Sequence, residues 1–174
     1  LPPNRVPHTL TQLAAAYPDY YCFTDHMDVP AGLNIFHFEA SFPSEQTAAE
    51  FMPIQPDHVA VISFTSGSTG TPQPHRKTWG NLVASILAQA ERLPFPSKQP
   101  ATIVGTVPQQ HMFGLESTVL TPWLLGHILV NERPFFTADI RALLAKLPAP
   151  RVLITTPLHI RALVTEQIKL PDLA

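Results

Sequence analysis

The chain has little charge, a single cysteine and no long hydrophobic run. Lys and Arg number 11 against 13 Asp and Glu, so 14% of the residues are charged and the net charge is −2. This balance supplies no basic surface for a nucleic acid or an anionic membrane. The longest apolar run, Ser117 to Val130, is too short to cross a bilayer and contains Pro122, Gly126 and His127. We therefore expect no nucleic-acid partner and no membrane span.

The lone cysteine, Cys22, cannot form an internal disulfide. Its neighbours Tyr20, Tyr21 and Phe23 favour a small buried apolar residue over a nucleophile. No secretory signal is visible at the start of the chain, so a reducing compartment, the cytoplasm, is the simplest location. The chain opens on Leu1 rather than methionine, and we expect it to be a piece of a longer protein.

Strands and helices alternate along most of the sequence. Apolar runs predict five strands, over Tyr20–Asp25, His58–Phe64, Ala101–Val107, His127–Asn131 and Arg151–Thr156. Helical periodicity predicts six helices, over His8–Tyr17, Ser44–Phe51, Thr78–Leu93, Leu115–Leu125, Thr137–Leu147 and Leu158–Ile168. With 174 residues, 45% of them hydrophobic, we expect one α/β domain over residues 1–174 with a mainly parallel sheet.

Two of these segments carry predictions about burial and capping. His58–Phe64 is almost wholly apolar, which is typical of a strand covered on both faces. Thr137 is predicted to cap the helix that follows it, because threonine is favoured at that position. The inward residues of that helix are predicted to be Ile140, Leu143, Leu144 and Leu147.

A loop of small polar residues, TSGSTG at Thr65 to Gly70, directly follows the strand His58–Phe64. In an open α/β sheet, ligands bind at the carboxyl ends of the strands, where we expect this loop. Its glycines let backbone N–H groups turn toward an anion, and its hydroxyls add donors. The helix from Thr78 adds its positive end if the loop folds back, and Arg76 and Lys77 add charge. The loop therefore suits a polyphosphate; the alternative is a solvated linker.

Two other catalytic patterns do not fit this loop. A Walker P-loop counted from Gly67 needs its second glycine and its lysine at positions 72 and 73, where this chain has Pro72 and Gln73. A hydrolase nucleophile elbow needs G-x-S-x-G, and SGSTG lacks the first glycine at that spacing.

The longer stretch FTSGSTGTPQ…TWGNL resembles the phosphate-loop signature of the adenylate-forming (AMP-binding) enzymes. This superfamily contains acyl- and aryl-CoA synthetases, peptide-synthetase adenylation domains and luciferases. The residues that match its pattern in order are Thr65 to Gly70, Pro72, Thr78, Asn81 and Leu82.

A second block, Val107 to Glu116, is similar to the Pro-x-x-His-x-x-Gly-Leu segment of the same family. There the histidine, or an aromatic residue in its place, lines the pocket for the carboxylate substrate. The resemblance thus assigns His111 and Gly114 to a substrate pocket; the alternative for His111 is a hydrogen-bonded core or loop histidine. A weaker third similarity covers Leu153 to Val164, where Thr156 is a further candidate at a strand end.

The resemblance implies a two-step reaction on ATP with Mg²⁺ as a cofactor. A carboxylic acid is converted to an acyl-adenylate with loss of pyrophosphate, and the thiol of CoA or of an acyl carrier protein then takes the acyl group. The residues that it assigns to the ATP phosphates are Thr65, Ser66, Gly67, Ser68, Thr69, Gly70 and Lys77. No metal ligand is assigned within this chain. The catalytic residues and the C-terminal lid domain are expected beyond residue 174, so the chain would be part of the large N-terminal domain and inactive alone.

Departures from the family pattern keep other functions open. Gln73 stands where the family normally has a lysine, and an amide can donate a hydrogen bond but brings no charge. Lys77 or Arg76 is a candidate to replace that charge. The alternative function is a non-catalytic module that binds a nucleotide or polyphosphate, and the third is an interaction module with a Ser/Thr-rich loop.

Overall fold

The computed structural model describes residues 13–24, 29, 33–38, 52–66, 72–93, 95–96 and 99–174, and at 65, 66 and 72 it describes the backbone alone. The chain divides into two compact units, Leu1–Phe51 and Met52–Ala174. The single domain over residues 1–174 stays a prediction.

The smaller unit contains a short parallel pair of strands. Strand β1 (Cys22–Thr24) pairs with β2 (Ile35–His37), with Cys22 opposite Ile35. The strand predicted over Tyr20–Asp25 is therefore confirmed at its centre, whereas β2 was not predicted. Residues 13–16 are helical, which confirms the end of the helix predicted over His8–Tyr17. The helix predicted over Ser44–Phe51 lies outside the described residues.

The larger unit begins with a β-hairpin. Strand β3 (Val59–Ser66) pairs antiparallel with β4 (Pro72–Thr78), from Val59 opposite Thr78 to Ser66 opposite Pro72. The prediction that this apolar strand is covered on both faces is wrong for the described part of the chain, because Phe64 is 47% exposed. Strand β4 was missed because Pro72 and Pro74 lower strand propensity. Proline is tolerated on an edge strand, where its missing N–H faces away from the ladder.

Helix α1 (Trp79–Ala90) follows the hairpin without a loop. Its N-cap is Thr78, whose Oγ1 accepts a hydrogen bond from the backbone N–H of Asn81 at 3.3 Å. Its buried face, Leu82 and Ile86, packs against Leu120 in one of two apolar clusters. The predicted amphipathic helix is thereby confirmed, with ends that differ by one and three residues from the prediction.

The core of the larger unit is a parallel sheet with the strand order β6-β5-β7. The central strand β5 (Thr102–Gly105) is buried at all four positions and pairs with both β6 (Ile128–Leu129) and β7 (Arg151–Ile154). The α/β class with a mainly parallel sheet is confirmed, and the β3–β4 hairpin forms a separate antiparallel sheet.

Helices connect these strands. Between β5 and β6 the chain forms α2 (Met112–Gly114), a π-helix (Leu115–Leu120) and α3 (Thr121–Leu125), which ends at Gly126 with φ 72°. Helix α4 (Thr137–Lys146) precedes β7, and α5 (Pro157–Thr165) follows it. Within the described part of the chain, none of the helices combines the length and the hydrophobicity that a bilayer crossing requires.

Helix α4 covers the sheet through the residues that the sequence predicts. Ile140, Leu143 and Leu144 are buried with Val104 of β5, and Leu147 packs against them. The predicted cap is corrected, however, because the N-cap position is Phe136 and Thr137 is the first helical residue. The Thr137 hydroxyl instead donates to the carboxylate of Glu166, just beyond α5, so it ties two helices together.

His127 links the beginning of β5 to β6. Its Nδ1 accepts a hydrogen bond from the backbone N–H of Ala101 at 3.2 Å, and its ring stacks on Phe95 with centroids 5.4 Å apart. Desolvation by burial lowers the pKa of His127 from its ordinary value of 6.5. A protonated Nδ1 could not accept the hydrogen bond from Ala101, so the geometry also favours the neutral ring.

We expect His127 to make the folded state less stable in acid. As the pH falls below the ordinary histidine pKa of about 6.5, the unfolded chain binds a proton that folded His127 resists, so the free energy of unfolding decreases. The variant His127→Asn keeps an acceptor near Nδ1 but does not titrate. Denaturant unfolding at about pH 7.5 and about pH 5.5 should show a smaller pH effect for the variant than for the wild type. An equal pH effect in both proteins would contradict this role.

Candidate functional site

The polar loop lies at the tip of the hairpin. Thr65 and Ser66 are the last two residues of β3, and they pair with Gln73 and Pro72 at the beginning of β4. The residues between the two strands, 67–71, lie outside the described residues, and they include Gly67, Ser68, Thr69 and Gly70. The structure therefore places the loop after an antiparallel strand, where the sequence analysis expected a parallel one.

The positive end of α1 lies at the opposite end of the hairpin. The backbone N–H of Trp79 donates to the carbonyl of His58 at 2.8 Å, and that of Gly80 donates to the carbonyl of Pro56 at 2.8 Å. Strand β4 spans 7 residues between loop and helix, which corresponds to roughly 20 Å of extended chain. The dipole acts within about one turn of the helix, so it does not reach the described end of β3. The contribution that the sequence analysis expected if the loop folds back stays a prediction.

The hairpin also separates Lys77 from Thr65 and Ser66, the described residues of the loop. Lys77 pairs with Val61 and Arg76 with Ile62, both toward the base of the hairpin. Gln73, opposite Thr65, is exposed beside the loop. The structure thus brings Thr65, Ser66 and Gln73 together at the tip and does not bring Lys77 to them.

Within the second block, Val107 to Glu116, the segment 107–114 leaves the carboxyl end of β5. The N–H of His111 donates to the carbonyl of Pro108 at 3.1 Å, and the N–H of Leu115 donates to the carbonyl of His111 at 2.8 Å. This turn begins the helical segment and leaves His111 exposed, with Gly114 buried. A Cβ added at Gly114 would lie 2.0 Å from the carbonyl oxygen of Pro108, so only glycine permits the contact.

The chain connections that follow the neighbouring strands β5 and β7 run in opposite directions across the sheet, which makes a topological switch point between them. From β5 the chain passes to β6, on one side. After β7 the chain passes to the other side: Pro150 and Ile154 offer their carbonyls to β5, whereas the carbonyl of Arg151 accepts from Ala174 N at 2.8 Å. In open α/β sheets the crevice beyond the carboxyl ends at such a switch point is the usual ligand site.

Four polar side chains meet at the carboxyl ends of β5 and β7. The Oγ1 atoms of Thr106 and Thr155 are 2.8 Å apart. His159 Nδ1 lies 3.3 Å from Thr106 Oγ1 and 3.0 Å from Thr156 Oγ1. Of the four, the sequence analysis named only Thr156. The sequence signal for the other residues was a hydroxyl side chain at the end of each of two strands. The local sequence does not show, however, that these two strands are neighbours in the sheet.

Glu116 serves the packing of two helices. Its Oε2 accepts a hydrogen bond from Ser85 Oγ of α1 at 3.3 Å, and Gln89 Nε2 donates to Ser85 Oγ at 3.4 Å. The hydrogen bond with Ser85 therefore accounts for the partly buried carboxylate of Glu116 where the π-helix packs on α1. Among the described residues, no three His, Cys, Asp or Glu side chains converge to bind a metal ion.

Comparison with known proteins supports a family assignment. The family model described as "AMP-binding enzyme" matches residues 20–173. A 4-coumarate–CoA ligase from Halorhodospira halophila is 33% identical over 109 residues, which cover 62% of this chain and 26% of that protein. A long-chain-fatty-acid–CoA ligase from Homo sapiens is 38% identical over 95 residues, which cover 53% of this chain and 13% of that protein. The chain thus spans about a quarter or less of the length of these relatives.

Solved structures agree on the fold. An o-succinylbenzoate CoA synthetase from Bacillus subtilis, in complex with its acyl-adenylate intermediate, has a TM-score of 0.59 at 23% identity. The match covers 70% of this chain and 32% of the other. The same enzyme with ATP and a magnesium ion also has a TM-score of 0.59, over 74% of this chain and 27% of the other. At this level of identity the likeness establishes the fold.

We expect Gly114→Ala to destabilise the protein by about 2–3 kcal/mol, because the new methyl group collides with backbone that must move. Ala142→Ser, on the exposed face of α4, adds an atom in open space and should change the free energy of unfolding by less than about 0.5 kcal/mol. Denaturant titration of both variants measures the difference. A Gly114→Ala protein as stable as the wild type would show that Gly114 and Pro108 are not in contact.

Proposed function

Because this chain belongs to the AMP-binding enzyme family, we propose that it is part of an ATP-dependent ligase that joins a carboxylic acid to a thiol. The observation that carries the proposal is the family match over residues 20–173, which includes both the hairpin loop and the segment that contains His111. CoA is the favoured acceptor, because the relatives above are CoA ligases. An acyl carrier protein is the other acceptor with the same thiol chemistry.

The reaction has two balanced steps. A carboxylate oxygen of the acid attacks the α-phosphorus of ATP, the bond to the β-phosphate breaks, and acyl-adenylate and pyrophosphate form. The thiol sulfur then attacks the acyl carbon, its proton is lost, and AMP leaves. Mg²⁺ would neutralise phosphate charge during the first step. Its ligands and the groups that act on the acyl carbon are proposed to lie outside this chain.

The hairpin tip is proposed to hold the phosphates that leave. The donor set of Thr65 to Gly70 fits that group, since hydroxyls and glycine N–H groups can donate to several phosphate oxygens at once. Each hydrogen bond to a charged oxygen contributes roughly 1.5–3 kcal/mol, so a few donors stabilise a polyphosphate even without a lysine. The proposal rests on the loop itself, because Lys77 and the end of α1 lie at the base of the hairpin.

The acid is proposed to bind at the carboxyl ends of β5 and β7. His111 is exposed immediately before α2, and Gly114 lets the chain turn tightly beside Pro108. The switch point between the two strands provides the crevice. The free thiol of Cys22 is compatible with the cytoplasm, which we propose as the location.

The proposal is tested by pyrophosphate exchange with the full-length protein that contains this sequence. Aryl and acyl acids are offered with ATP and Mg²⁺, and at least one should support exchange of label between pyrophosphate and ATP. The double variant Ser68→Ala/Thr69→Ala should lower kcat/KM at least about 10-fold, since two donors to the leaving phosphates are lost. Thr165→Ala, an exposed hydroxyl on α5, should leave kcat/KM unchanged.

Tight binding of ATP without exchange for any acid would overturn the ligase proposal. It would support instead a non-catalytic module that binds a nucleotide. Gln73 favours this alternative, because it puts an uncharged side chain beside the loop where the family normally has a lysine. Equal activity of the double variant and the wild type would remove the loop from the proposed site.

We expect Gln73→Lys to lower the KM for ATP by about 3-fold. A charge beside Thr65 at the tip would face the phosphates, and an exposed ion pair is worth up to about 1 kcal/mol. Lys77→Gln is the matched reverse change at the base of the hairpin and should leave the KM for ATP unchanged. The measurement is initial rate against ATP concentration at low and high salt, because screening should reduce the gain. A rise in KM for Lys77→Gln would instead place Lys77 at the phosphates.

A further inference from the structure

We propose that His159 is a positioning residue for the acid-binding segment 107–114, and that it acts through the hydroxyl of Thr106. The inference rests on the proposed function, because it assigns a role in the acid site of the ligase. It concerns a side chain that is not itself part of that segment: His159 lies 53 positions from Thr106 in the sequence.

One imidazole nitrogen connects the ends of two strands. His159 Nδ1 is 3.0 Å from the hydroxyl of Thr156, which precedes α5, and 3.3 Å from that of Thr106, which follows β5. Thr106 is 5% exposed, and its Oγ1 also lies 2.8 Å from Thr155 Oγ1. The four side chains therefore form one hydrogen-bonded group across the crevice.

The ring of His159 is held in place from two sides. Its backbone belongs to the first turn of α5, and its ring meets Phe135 edge-on, with centroids 5.7 Å apart. The helix backbone and the contact with Phe135 therefore restrict the movement of the imidazole ring. A fixed nitrogen can determine how the hydroxyl of Thr106 points.

The position of Thr106 explains why this matters for the acid site. The N–H of Thr106 donates to the carbonyl of Ile154 at 3.0 Å, which places Thr106 where β5 leaves β7. The next residue begins the segment 107–114, which contains His111. The side-chain group of Thr106, Thr155 and His159 lies beyond that backbone hydrogen bond, so it fixes the direction in which the segment leaves the sheet.

Hydrogen–deuterium exchange of the full-length protein tests this without any activity. His159→Leu removes both ring nitrogens, whereas His159→Asn places an amide group near Nδ1. We expect His159→Leu to speed exchange in residues 107–115 about 5-fold, the effect of losing roughly one hydrogen bond, with α4 unchanged. His159→Asn should restore most of the protection. Leu158→Ala, at a 71% exposed neighbour, is the control and should have no effect.

Unchanged exchange in residues 107–115 would overturn the proposal. So would an equal rise in α4, because that result would mean general loosening, and so would a failure of His159→Asn to restore protection. If His159→Leu does not fold, His159→Gln replaces it. Its longer side chain cannot place a polar atom at Nδ1, so the same outcomes are expected of it.

Kinetics distinguish this proposal from the proposed function. His159→Leu should raise the KM for the acid about 5-fold and change the KM for ATP less than about 2-fold. Equal increases in both KM values would overturn the positioning role. A wild-type protein that activates no acid would remove the proposed function alone, because the exchange experiment decides by itself whether His159 positions residues 107–114.

Discussion

Complete burial of β5 is the constraint on which the larger unit depends. Ile103 and Val104 have no exposed surface, Thr102 is 1% exposed, and both edges of the strand are paired. A strand in this position needs a helical cover on each face. Val104 packs on α4 on one face, and Gly105 meets the π-helix at Thr118 on the other, where an added Cβ would lie 2.5 Å from a methyl carbon. The absent side chain of Gly105 therefore sets how closely that helix approaches.

The same constraint creates the candidate acid site. Because β5 is central, its outgoing chain passes to β6 while the chain after β7 passes the other way. In open α/β sheets this is where a ligand crevice usually lies, between the carboxyl ends of the two strands. Its polar residues are satisfied by one another through Thr106, Thr155 and His159. The proposed phosphate-binding loop follows an antiparallel hairpin strand and not a strand of this sheet, so the proposed ligase would draw its two substrate sites from separate parts of this unit.

Much of the fold could be predicted because its signals are local. Helix α1 carries its cap, Thr78, and its apolar stripe within a dozen residues, and β5 is a short apolar run. The errors have a physical reason as well. The apolar letters of β3 are equally compatible with a buried parallel strand and with a hairpin strand, and the prolines of β4 concealed its partner. Threonine is a common N-cap residue, but the hydroxyl of Thr137 donates a hydrogen bond to the carboxylate of Glu166, which is distant in the sequence.

The sequence by itself determined the family and the α/β class and predicted the two segments of the candidate site. Motif spacing and periodicity are local properties of the chain, and they can be recognised without knowing which residues are neighbours in the fold. Only the tertiary structure decided the strand directions, and with them the separation of Lys77 and the N-terminus of α1 from Thr65 and Ser66 at the end of β3. It also decided that His159 meets Thr106 across 53 positions. Strand pairing and convergence of distant side chains arise from the packing of the whole unit, and no local pattern of residues encodes them.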